Sequence, residues 1–191
     1  MSRLSNPGVL RSDSDAEARY VMKVVMCGDW AVGKTSLVRR FVENRFDHDY
    51  KPSIGVNIVV KIVDVGQKKV KLDIFDTGGQ ERDRPLRQRY YKGASAAVFV
   101  YDMTRAESAV SVQNRWLAEV EAVIPEGFER MVIANKADLG GERAVSEYAG
   151  QQLAERIGAI YTETSALDGR NVEQAFIELA ARLIKKHYPE A

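Results

Sequence analysis

Gly28-Asp29-Trp30-Ala31-Val32-Gly33-Lys34-Thr35 constrains this chain more than any other segment. It follows the apolar run Tyr20–Cys27 and precedes Ser36-Leu37-Val38-Arg39-Arg40-Phe41-Val42, whose apolar residues recur at helical spacing. A G-x-x-x-x-G-K-[ST] pattern between a strand and a helix is where a phosphate-binding loop must sit. Glycines let the backbone curl until successive N–H groups point at one anion, and the helix starting near Gly33 adds its positive end. The Lys34 ammonium reaches β- and γ-phosphates as a point charge, and the Thr35 hydroxyl suits Mg²⁺. The alternative is a glycine turn carrying a solvated lysine.

Beyond this loop the pattern alternates. Strands are expected at Val56–Val65, at Val70–Phe75 after a turn at Gly66, at Ala96–Tyr101, at Arg130–Ala134 and at Ala159–Thr162. Helices are expected at Glu107–Ile124, with Val112, Trp116, Leu117, Val120 and Val123 on one face, at Ala144–Ile157 before a Gly158 cap, and at Val172–His187. Such alternation gives a mostly parallel sheet covered on both faces, with one antiparallel strand from the hairpin. Ligands of such sheets bind at the carboxyl ends of the strands. Residues 1–18 read as a flexible polar tail, 19–187 as one domain and 188–191 as a short C-terminal tail.

Composition narrows the partners. A net charge of +1 provides no general field for nucleic acid or an anionic membrane. The single cysteine, Cys27, excludes an intramolecular disulfide or a cysteine metal cluster, and its apolar neighbourhood marks it as a core thiol rather than a reactive one. No apolar run reaches transmembrane length and no signal-peptide stretch is seen, so a cytoplasmic setting is expected.

Three further motifs fall just after strands. Asp76-Thr77-Gly78-Gly79-Gln80-Glu81 offers a metal-holding carboxylate, glycines that admit close approach to a phosphate, and an amide that both donates to and accepts from water. Asn135-Lys136-Ala137-Asp138 offers a carboxylate for the paired N–H groups of a guanine edge, which adenine lacks. Thr164-Ser165-Ala166 offers backbone N–H groups for a base carbonyl.

With these motifs in this order, the chain resembles the small GTPases of the Ras superfamily, most of all the Rab family, from about Tyr20 to Lys186. Tyr50-Lys51-Pro52-Ser53-Ile54-Gly55-Val56 resembles a Rab switch I, and Tyr90-Tyr91-Lys92-Gly93-Ala94 and Val100-Tyr101-Asp102-Met103-Thr104 resemble the segments after switch II. The resemblance implies the P-loop small-GTPase form of α/β fold, a six-stranded mostly parallel sheet with one antiparallel edge strand and about five flanking helices. It implies GTP/GDP and Mg²⁺ as ligands, with Thr35, Ser53 and Asp76 serving the metal. Asp29, Trp30, Ala31, Val32, Gly33, Lys34, Thr35 and Ser36 would wrap the phosphates, with Gly79 donating to the γ-phosphate. Gln80 and Lys34 would be the catalytic pair. Phe46 and Tyr50 would flank the nucleotide. Asn135, Lys136, Asp138, Ser165, Ala166 and Leu167 would form the base pocket. Effector, exchange-factor and activating proteins would meet the switch regions of a monomer.

The departures from the Rab pattern matter too. Trp30 and Gly78 replace small residues and an alanine, Ser53 replaces a threonine, and Asp83 and Pro85 replace Phe and Thr. Phe75 replaces a frequent Trp, and Leu167 a lysine. Trp30 is expected to crowd the catalytic water or an activating arginine, giving slow hydrolysis. The final residues Ile184 to Ala191 carry no prenylation cysteine, which leaves three readings: a truncated C-terminus, a genuinely unlipidated Rab-like GTPase, which is favoured, or recruitment to membranes by a partner. Two other readings remain open: a GTP-holding scaffold that hardly turns over, and another P-loop enzyme such as a nucleotide kinase.

Overall fold

The computed structural model describes residues 18–47, 55–80, 83–124 and 126–189. Among the described residues six strands form one sheet in the order β2-β3-β1-β4-β5-β6. They are β1 (Tyr20–Cys27), β2 (Val56–Val65), β3 (Lys68–Thr77), β4 (Ala96–Asp102), β5 (Glu129–Asn135) and β6 (Ile160–Glu163). Only β2 runs antiparallel, paired with β3 from Val56 opposite Thr77 to Val65 opposite Lys68. Its β-branched residues suit a pleated, half-covered edge, and Gly66, at φ 61°, makes the tight turn that reverses the chain. The central β4 is buried along its whole length, as a parallel strand covered on both faces must be.

The helices among the described residues are α1 (Lys34–Glu43), α2 (Arg84–Tyr91), α3 (106–121), α4 (Glu147–Arg156) and α5 (Val172–His187), with a 3₁₀ turn at Ala137–Glu142. On one face of the sheet Leu37, Val38 and Phe41 of α1 meet Phe176, Leu179 and Leu183 of α5, and Phe41 stacks on Phe176 with ring centroids 4.2 Å apart. On the other, Val112, Trp116 and Val120 of α3 and Leu153 of α4 pack on Phe99 and Val132. Cys27 is fully buried there, and burial pushes its thiol up to about 12, so it is a core residue and not a nucleophile.

Three details differ from the sequence expectation. The segment Arg84–Tyr91 is helical although its composition is polar, because Pro85 starts the helix and Tyr91 and Arg87 anchor it on the core. The helix expected at Glu107–Ile124 stops at Glu121, and Val112–Leu117 inside it is a wide, π-type turn. The helix expected from Ala144 begins after Ser146, whose hydroxyl caps it by accepting from the Ala149 N–H at 3.2 Å. No helix among the described residues is long and apolar enough to cross a membrane.

Candidate functional site

Because β1, β3, β4, β5 and β6 run parallel, the segments after them emerge at one edge of the sheet. There they surround a cleft of about 480 Å³, the size of a small-molecule site. Trp30, Ala31, Gly33, Lys34, Thr35 and Ser36 form its floor; Phe46, Thr77 and Gly79 lie on its sides. Asn135, Lys136, Asp138, Ala166 and Leu167 close the far end.

The loop after β1 is shaped by steric necessity. Gly28 has φ 145° and Gly33 φ 97°; a Cβ on Gly28 would lie 2.2 Å from the Val100 carbonyl oxygen, and one on Gly33 2.3 Å from Asn135 Nδ2. Gly33 then caps α1. The Lys34 ammonium donates to the carbonyls of Gly28 at 2.7 Å and Asp29 at 2.9 Å, spanning the loop it leaves. Burial lowers its pKa to about 8, with Asp76 the main opposing charge. A cation held out of water beside an open cleft favours an anionic ligand.

Asp76 ends β3 and is 2% exposed. Burial raises its pKa, against the Thr35 hydroxyl bond and the Lys34 charge. Its Oδ1 has no hydrogen-bond partner, an orphaned buried acceptor of the kind a cation or its bound water satisfies. No cluster of three or more His, Cys, Asp or Glu forms a metal cage among the described residues.

Asn135 organises the far end without facing solvent. Its amide donates to the Val32 carbonyl at 2.9 Å, and its oxygen accepts from Thr164 Oγ1 at 3.1 Å and from the Ala166 N–H at 3.2 Å. One buried side chain thus ties together the segments after β1, β5 and β6. Ser165 is buried and its hydroxyl donates to Asp138 Oδ1 at 2.5 Å, fixing that carboxylate. Val32 points into the core rather than the cleft.

Other placements were not expected from sequence. Asp29 turns its carboxylate to the Trp116 indole N–H at 2.8 Å. Arg40 of α1 donates to the Ala166 and Leu167 carbonyls at 2.9 and 2.6 Å, and Arg105 donates to the Trp30 carbonyl at 2.9 Å. Trp30 itself is 48% exposed at the cleft mouth. Gln80 does not line the cleft; its carbonyl accepts from Arg87. Tyr50 and Ser53 lie outside the described residues. Two sequence signals point to the hidden anchors: Glu119, a carboxylate on the apolar stripe of α3, and the Trp116 indole N–H, which burial obliges to find a partner.

Lys136, at φ 70°, meets Asp102 Oδ2 at 2.6 Å, which orients the segment after β5 against that after β4. Burial alone would raise the Asp102 carboxyl; the Lys136 ammonium and the Thr104 N–H and hydroxyl outweigh it and hold the group below the usual range. A depressed folded pKa stabilises above the unfolded value of about 3.9 and is lost as pH falls through the folded one. Asp102→Asn is therefore expected to lower Tm at pH 7 by a few degrees, on the order of 1 kcal/mol for this part-exposed pair. The gap should close in acid. Thermal melts from pH 7 downward check it, and an offset that persists at low pH refutes it.

Against known proteins, a model of the Ras family matches residues 23–185. The Ras-related protein RABA6b of Arabidopsis thaliana is 41% identical over 169 residues, covering 88% of this chain and 73% of that protein. RABA5b of the same plant is 43% identical, covering 86% and 75%, and RABC1 is 40% identical, covering 91% and 82%.

Proposed function

This chain belongs to the Ras family, and from that premise we propose how its cleft operates as a Rab-type switch. The protein is a GTPase that binds GTP and GDP. The observation that carries the assignment of residues is Asn135, which joins the phosphate loop to both base-recognition segments in one hydrogen-bonded unit.

In this reading the N–H groups of 29–36 and the Lys34 ammonium take the phosphates, replacing part of the charge-neutralising work of water. Thr35, Ser53 and Asp76 would hold Mg²⁺, and the partnerless Asp76 Oδ1 supports that assignment. Once bound, Mg²⁺ would supply neutralisation of the phosphate charge. Gly79 gives its N–H to the γ-phosphate, and Gln80 orients the attacking water. Asp138 accepts from the guanine edge, with the Lys136 stem, Phe46, Ala166 and Leu167 around the base. Loss of the γ-phosphate releases the segments near 47–57 and 76–92, and effector, exchange and activating proteins discriminate the two states in membrane trafficking.

Trp30 sets the rate in this proposal. Trp30 lines the cleft and is half-exposed, and its backbone lies against Gly79: a Cβ added to Gly79 would sit 2.6 Å from the Trp30 backbone nitrogen. An indole there competes for the space of the water and of any activating arginine. In single-turnover hydrolysis of bound GTP, Trp30→Gly is expected to be about tenfold or more faster, and Gln80→Leu slower by a similar or greater factor. Equal rates for Trp30→Gly and the parent protein remove the crowding role; GTP retained unhydrolysed by all three favours a scaffold.

A further inference from the structure

We propose that Arg87 is the positioning residue for Gln80, clamping the 78–80 backbone against α3 so that the Gln80 amide meets the reacting γ-phosphate in one orientation. The inference deepens the GTPase reading and rests on it.

Arg87 is fully buried in α2, where an unsatisfied guanidinium is strongly unfavourable. Here four of its N–H groups are engaged. Nε and Nη2 grip the two Glu119 oxygens at 2.9 and 3.0 Å, and Nη1 donates to the Gly78 carbonyl at 2.9 Å and the Gln80 carbonyl at 2.5 Å. Glu119 is fixed in turn by the Tyr91 hydroxyl at 3.0 Å. The carboxylate takes Nε and Nη2; burial obliges Nη1 to find partners too, and the two carbonyls it finds bracket Gly79.

That bracket acts on a segment with little stiffness of its own, since Gly78 and Gly79 adjoin. Gly79 rests on the phosphate loop: a Cβ there would be 2.6 Å from the Asp29 carbonyl carbon and the Trp30 nitrogen. The backbone before Gln80 is therefore held from two sides, by the loop and by the Arg87 fork. The two supports are themselves joined. The Arg87 guanidinium lies 4.7 Å from the Trp116 ring centroid, and the same indole donates to Asp29 Oδ1 at 2.8 Å. Phosphate loop, α3 and the Gln80 segment form one connected frame, and Arg87 is its link to Gln80.

Arg87→Lys tests this. It keeps a cation beside Glu119, but an ammonium cannot reproduce a planar fork that spans a carboxylate and two carbonyls. With GTP and Mg²⁺ bound, single-turnover hydrolysis is expected to fall about 10- to 100-fold. GTP and GDP affinities should change by less than about twofold, the signature of an interaction that matters in the transition state and not for ground-state binding. Amide hydrogen exchange over residues 78–83 should quicken relative to the parent. Parent-like hydrolysis together with parent-like exchange overturns the proposal; so does an equal loss of hydrolysis and nucleotide affinity. The charge-neutral pair Arg87→Met with Glu119→Gln substitutes if Arg87→Lys does not fold, with the same expectations. If the parent protein itself releases no phosphate, the GTPase reading fails, and exchange alone decides the clamp: faster in the variant supports it, equal refutes it.

Discussion

In an Asp138→Asn protein, GTP affinity is expected to drop by about 10²- to 10⁴-fold, while affinity for xanthosine triphosphate rises above the parent level. Guanine presents two neighbouring donors, N1–H and the 2-amino group, and a carboxylate accepts both. Asp138 is held for this by Ser165, whose hydroxyl donates to Oδ1 at 2.5 Å and whose own backbone is fully buried. The carboxylate therefore cannot swing away to relieve a mismatch. An asparagine in its place keeps one acceptor and sets an N–H₂ against the 2-amino group, leaving donors facing donors. Xanthine carries an oxygen at that position and accepts from the new amide. Competition of GTP, ATP and xanthosine triphosphate against a fluorescent GDP analogue reads the result. A uniform loss for all three would mean that Asp138 supports the fold of the cleft and does not read the base.

The second large effect is at Lys34. Lys34→Met is expected to weaken GTP and GDP binding by about 10²- to 10³-fold, the loss typical of removing one preorganised charged donor from phosphate oxygens. Stability of the nucleotide-free protein should respond quite differently. There the ammonium is a desolvated cation, 6% exposed, whose pKa is already pulled down to about 8. Replacing it with an apolar chain of similar length relieves that desolvation while giving up the bonds to the Gly28 and Asp29 carbonyls. The two contributions oppose, so the nucleotide-free melting temperature should stay within a few degrees of the parent. Melting curves with and without GDP separate the effects: the parent gains stability with GDP, and the variant gains far less. A variant that melts much earlier without nucleotide would make Lys34 a structural strut first.

The strands were legible because their signal is local. Val56–Val65 is rich in Val and Ile and Ala96–Tyr101 is apolar, and each is bounded by a turn or by polar residues that end it. The order of the chemical motifs was legible for the same reason, since each sits within a few residues of a strand end. Arg84–Tyr91 was not, because its helix depends on tertiary anchors, Arg87 and Tyr91 reaching Glu119 across 32 and 28 positions of sequence. Periodicity places Trp116 on the apolar face of α3 and stops there. It does not register that the indole nitrogen finds Asp29, 87 residues earlier. Likewise Asp29 reads from its motif as a phosphate-loop residue, while its side chain faces away to Trp116. The missed contacts share a property: each joins polar groups far apart in sequence, and the pattern within any one window carries no trace of its partner.

The wide turn at Val112–Leu117 gives this last point another form. A π-type turn accommodates one more residue than a regular helix, and each residue of an α-helix advances the face by about 100°. Trp116 and Glu119 thus owe their bearing to how many residues lie upstream in α3 as well as to what those residues are. The wide turn absorbs its extra residue, so removing that one keeps the face, whereas a deletion in the regular coil before it, which nothing absorbs, would swing both side chains about a quarter-turn around the axis relative to the residues upstream, with every amino acid of the frame still present. Length within a helix remote from the nucleotide is, in this molecule, a coordinate of the chemistry.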